Sequence, residues 1–267
     1  MKSEGFPRKA VLWNGAILNG IANAAMAADS TFHGPYAEWV GNHYLLNGLD
    51  GRLGAIAFEG GPWSGEGRLA GVFHFPESKS NAFHCKNYDL ERFFLGCPAY
   101  QRFLVEQLVL SYLQMEDNGR VVPLVTAALW DAGEYLTAAE TWEVVVANGA
   151  HLIEGEMIED WEAALARFRV NYGMSMEQVV LVQSLFQRKM TCHTGLIPLT
   201  AADVGILEST FEDSRARGVE PDQPAWDGEP TPKATGKELV DSVGMARKAM
   251  RLCRELFAAI GIVMPDA

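Results

Sequence analysis

The chain is short of positive charge, of cysteine and of long apolar runs, and each shortage narrows what it can be. Its 22 lysines and arginines are outnumbered by 34 aspartates and glutamates, a formal net charge of −12. Nucleic acid and anionic membrane surfaces both demand a cationic face, so neither is expected as a partner. No apolar stretch reaches the roughly 18 residues that a membrane-spanning helix requires. The four cysteines, Cys85, Cys97, Cys192 and Cys253, are widely spaced and form no Cys-x-x-Cys pair. Such spacing points to reduced thiols in a cytoplasmic protein rather than to a stapled secreted one. Also missing are a nucleophile elbow, a Walker loop and a His-Glu-x-x-His zinc helix. The sequence therefore names no reaction and no cofactor.

What is present is the composition of a folded, soluble protein. Of 267 residues, 48% are hydrophobic and 21% charged, enough of the first to bury a core and too few of the second for wholesale disorder. The acidity is uneven. Residues 134–236 hold 7 basic and 17 acidic side chains, whereas residues 237–267 hold 5 and 4. An acidic middle of this kind suits a basic protein partner.

Lys2, Arg8 and Lys9 precede an apolar stretch ending in Ala24-Ala25-Met26-Ala27-Ala28, which mimics an export signal. Asn14, Asn19 and Asn23 make that stretch too polar for a signal core. It reads as an amphipathic helix with Trp13, Ile17, Ile21 and Ala24 on its buried stripe.

Further along, Leu53–Phe58 and Leu69–Phe75 read as strands joined by glycine-rich turn chemistry, an antiparallel hairpin. Asn87 is placed to cap a short helix closing at Gly96. A helix from Pro98 to about Met115 should bury Leu104, Leu108, Tyr112 and Met115 on one face. Asn118-Gly119 marks a turn, and Val121–Trp130 suggests another strand. Capping boxes are expected at Thr137, Ser175 and Thr200, and periodic apolar residues give a helix over about 157–172. Four prolines among acids make 219–236 an acidic linker or loop. Residues 237–260 carry an apolar seam, with Gly261 as its stop.

The fold class is α+β: a small antiparallel sheet in the first half packed against a mostly helical second half. The organisation is one body over 1–218, the linker over 219–236 and a C-terminal helix over 237–267 docked on that body.

Candidate chemistry rests on few residues. Gly65, Gly67 and Gly71 resemble a phosphate loop, but they lead into a strand rather than a helix, so a hairpin turn is the better reading. His84-Cys85 and Cys192-His193 each offer a thiol and an imidazole, the makings of a nucleophile with its base or of a zinc site. Neighbours on a strand point apart, so a site needs the two segments to meet in space. His33, Glu38 and His43 recur at steps of five, a poor spacing for helical metal ligands. With His74 and Glu77 they define a candidate small-ligand pocket. The paired acids Glu116/Asp117, Glu154/Glu156 and Glu159/Asp160 sit in short polar runs and read as solvated or dipole-facing groups. Trp226, alone among prolines and acids, is either a hydrophobic anchor on the body or a partner-binding residue. Arg247, Arg251 and Arg254 should snorkel along the body beside the final seam and pair with acids of the middle region.

Two functional expectations follow. One is a non-catalytic protein-interaction module with an acidic binding face. The other is a metal- or Cys/His-dependent enzyme or small-ligand-binding protein with a His-rich pocket in the first half.

Overall fold

A computed structural model describes residues 5–29, 37–48, 50–155, 157, 161–192, 195–216 and 242–265. His33, His193, Trp226 and the acidic stretch 219–236 lie outside the described residues. So do Glu156, Glu159 and Asp160.

The sheet follows from alternating side chains and from turns that only certain residues permit. Strands β1 (Ala37–Val40), β2 (His43–Asn47), β3 (Leu53–Phe58) and β4 (Leu69–His74) run antiparallel in sequence order. Gly41, with φ 60°, supplies the positive dihedral that the two-residue loop between β1 and β2 requires. A separate exposed hairpin pairs β5 (Gln114–Asp117) with β6 (Arg120–Pro123). Asn118 and Gly119 both take positive φ at its tip, the signature of a type I′ turn. The expected strand over Val121–Trp130 is thus two: β6 ends at Pro123, and β7 (Ala127–Ala132) joins the main sheet. With β8 (Tyr135–Thr137) the order becomes β1-β2-β3-β4-β7-β8.

Both faces of this sheet are covered. On one, Trp39, Tyr44, Ile56, Leu69, Phe73 and Leu129 meet helix α1 (Lys9–Met26) and the helices behind it. The expectation of an amphipathic α1 needs correction. From Leu12 to Ala25 every residue except Asn14 is buried, because α1 packs on β1 and also on two helices of the second half, α5 (Met176–Thr191) and α7 (Ser242–Ala259). A helix enclosed on all sides needs an apolar surface all round. It also needs small residues where neighbours press: a Cβ on Gly20 would stand 3.0 Å from the Trp39 ring. The Trp39 indole N–H donates to the Ala16 carbonyl at 3.1 Å, tying strand to helix.

The other face is alanine-rich (Ala55, Ala57, Ala70 and Ala128), so an irregular strip lies close upon it. That strip holds a 3₁₀ turn (Leu90–Phe94), α2 (Ala99–Leu104), a π turn (Val105–Val109) and a second 3₁₀ turn (Leu110–Leu113). The single helix expected to reach Met115 is not formed. The wider π turn shifts the inward face of all that follows, so Val105, Val109 and Leu113 are buried while Tyr112 and Met115 stand exposed.

Short helix α3 (Trp142–Ala147) starts after Thr141, and Thr137 belongs to β8, so no capping box forms there. α4 (Trp161–Tyr172) buries Phe168. Ser175 makes the full reciprocal box with Gln178 at the start of α5. Thr200 and Asp203 exchange the same pair of bonds at the start of α6 (Ala201–Ala216). Strands are not confined to the first half: β9 (Ile197–Pro198) pairs in parallel with β10 (Ile262–Val263), pinning the end of the chain beside α6. Among the described residues no helix is long and apolar enough to cross a membrane.

Candidate functional site

Helices α5 and α6 form an antiparallel hairpin, so the start of one faces the end of the other. At the closed end, Arg188 donates to Asp203 at 2.8 Å. Burial would raise the Asp203 pKa, but Arg188 and the Thr200 N–H and hydroxyl outweigh it and hold the carboxyl below its ordinary value. At the other end the two helices enclose a groove of about 720 Å³. Gly173, Ser175, Glu177 and Gln178 line one wall, and Ser209, Thr210 and Asp213 the other. Among the described residues no lysine, arginine or histidine lines it.

Among the described residues the groove lining carries the carboxylates of Glu177 and Asp213 and the hydroxyls of Ser175, Ser209 and Thr210. Glu177 is exposed, and its carboxyl is held below the usual range by its own backbone N–H and by the Ser175 hydroxyl, so it stays ionised. Glu208 and Glu212 are exposed on the same helix as Asp213. Arg251 pairs at 3.6 Å with Glu255 of its own helix, and Arg254 donates to the Pro265 carbonyl.

The described histidines, His43, His74, His84 and His151, form no cluster of metal-ligating side chains. His43 and Glu38 do share one face of the β1–β2 hairpin, on diagonal positions, with the His43 ring edge-on to Tyr112 at 5.9 Å. Burial lowers the His43 pKa and raises that of Glu38. His43 pairs with Ala57 at one end of β3, whereas His74 pairs with Leu53 at the other. Four residues of strand separate those ends, about 13 Å. His74 is instead bound to the Leu124 carbonyl, and His84 to that of Ser78. His151, facing the Val146 carbonyl with Nδ1, carries its hydrogen there and accepts from Arg52 at Nε2, 2.7 Å away. Glu77 lies just beyond His74, in the electrostatic field of Arg52.

Cys85 sits in the loop after β4, while Cys192 caps α5. All four cysteines are free thiols, and burial pushes Cys97 up to about 11 and Cys253 up to about 12, away from reactivity. Among the described residues no three His, Cys, Asp or Glu side chains are grouped to hold a metal. Gly65 and Gly67 lie in the β3–β4 turn and Gly71 within β4.

Two buried charges escaped the sequence reading. Asp131, 1% exposed, accepts the Leu69 N–H at 2.7 Å through Oδ1, while Oδ2 stands 3.6 Å from Arg68 and 4.0 Å from Lys9. Its signal was a lone acid closing the apolar run Ala127–Trp130. Lys189 is wholly buried, with Nζ 4.2 Å from the centre of the Trp63 ring and no hydrogen-bond partner among the described residues. Burial lowers its pKa. It continues the buried row Gln178, Val182, Leu185, where an apolar residue is the ordinary choice. Comparison of the chain with protein-family models, with curated proteins and with solved structures finds no match, so function must be argued from these side chains alone.

Proposed function

We propose that the chain is a non-catalytic protein-interaction module whose α5–α6 groove receives a basic segment of a partner. The supporting observation is the groove's lining, which among the described residues consists of carboxylates, hydroxyls and an amide. A lysine or arginine entering it meets Glu177 and Asp213 on opposite walls, with Ser175, Ser209 and Thr210 as further acceptors. Exposed Glu208 and Glu212 extend the negative potential and would speed encounter with a cationic partner. Among the described residues no group of three His, Cys, Asp or Glu side chains offers the catalytic alternative a comparable observation.

A fluorescein-labelled arginine- and lysine-rich peptide tests this by anisotropy. Binding at low salt should weaken steeply towards about 0.5 M salt, where charges are screened beyond a few ångströms. The double substitution E177Q/D213N should abolish most of it. Salt-independent binding, or none, rejects the proposal.

A further inference from the structure

A second cleft, of about 470 Å³, lies at the β3–β4 turn, away from the α5–α6 hairpin. Glu59, Arg68, Pro98, Tyr100 and Gln101 line it. Glu59 follows β3 and Arg68 precedes β4, and the Glu59 N–H donates to the Arg68 carbonyl at 2.8 Å, so the two stand opposite each other. Their side-chain charges nevertheless do not pair. The Glu59 carboxylate accepts the Arg68 backbone N–H at 2.8 Å and the Tyr100 hydroxyl at 2.8 Å. The Arg68 guanidinium, about half exposed, leans towards Asp131 at 3.6 Å, beyond hydrogen-bonding range.

The cleft is therefore bipolar. Lys9 gives two of its three N–H groups to the Glu66 and Gly67 carbonyls and stands 4.0 Å from the same Asp131 oxygen. Two cations around one buried carboxylate leave one net positive charge, and most of it is carried by the accessible Arg68. Glu59 supplies a separate negative pole, kept ionised by the hydrogen bonds it accepts. Beside Glu59 the Tyr100 ring, stacked on Phe103 at 6.5 Å, offers the cleft a flat apolar wall. A planar guanidinium takes a carboxylate in two parallel bonds, and a carboxylate takes an ammonium.

We infer that this cleft binds a small zwitterion, a ligand carrying one ammonium and one carboxylate as a free amino acid does, with its apolar part against Tyr100. The ammonium meets Glu59 and the carboxylate meets Arg68. The inference does not rest on the basic-partner reading, since the two sites share no residue.

Calorimetric titration of the full chain with L-phenylalanine, L-phenylalaninamide and N-acetyl-L-phenylalanine tests it. Saturable binding of the free amino acid is expected, with each blocked form weaker by about tenfold or more, because each lacks one charge-assisted contact. R68Q should weaken the free amino acid by a similar factor while leaving the amide unchanged, and E59Q should do so while leaving the acetylated form unchanged. Circular dichroism checks that both variants fold. If either does not, the three-probe comparison on the unaltered chain decides. No saturable binding by about 10 mM, equal affinity for the three probes, or a folded R68Q that binds as before would each overturn the inference.

Discussion

The cluster around Asp131 and the groove between α5 and α6 hold the same kinds of side chain under opposite conditions. Asp131 is sealed at the end of β7, and its charge is tolerated because a backbone N–H, an amide and two cations surround it. Glu177 stands in water, with only its own N–H and a serine hydroxyl for company. Removing a partner from a buried ionic cluster leaves a charge stranded in low dielectric, whereas neutralising an exposed carboxylate strands nothing. Buried charge should therefore govern stability here, and exposed charge should govern binding.

The largest expected effect is on D131A, which should lose about 3 kcal/mol of stability by urea denaturation, because the buried Leu69 N–H and Gln101 amide lose their acceptor and Lys9 and Arg68 lose their shared counter-charge. A loss below about 1 kcal/mol would erase the contrast between the two regions. Lys189 sharpens the same comparison with the opposite sign. Among the described residues no carboxylate pairs with it, so K189M should gain about 1–2 kcal/mol near neutral pH.

The pH dependence of that gain is specific. Burial sets the folded pKa of Lys189 below the unfolded value of about 10.4, so between the two the unfolded chain binds more protons. The stability of the unaltered chain relative to K189M should rise with pH across that window and level off above it. A falling difference would mean that the Trp63 ring outweighs desolvation.

Smaller effects belong to the groove. S175A removes one half of the reciprocal cap on α5 and should cost about 1 kcal/mol. E177Q/D213N should change stability by less than about 0.5 kcal/mol while removing salt-sensitive peptide binding. A large destabilisation there would make the groove a structural element rather than a docking surface.

Local signals read well in the sequence. The β3–β4 hairpin, the Asn118-Gly119 turn and the caps at Ser175 and Thr200 depend on residues adjacent in the chain, and each forms as its chemistry dictates. Features set by distant neighbours read poorly. Nothing in residues 9–26 says that α5 and α7 will close over α1, so one stripe was expected where burial is complete. The π turn within 105–109 depends on how the strip settles over an alanine face built by three strands. The acidic groove was legible only as a regional excess of carboxylates. The Asp131 cluster was not legible at all, because positions 9, 68 and 131 become neighbours only when the sheet and α1 assemble.

The enclosure of α1 also bears on how the chain is made. Helix α1 leaves the ribosome long before α7 and finds that part of its cover only when α7 has been synthesised. Until then a strip of leucine, isoleucine and alanine has no permanent cover and is exposed to chaperones and to other nascent chains. A chain interrupted before Ser242 would carry that strip indefinitely, so quality control has an unmistakable mark by which to find unfinished copies.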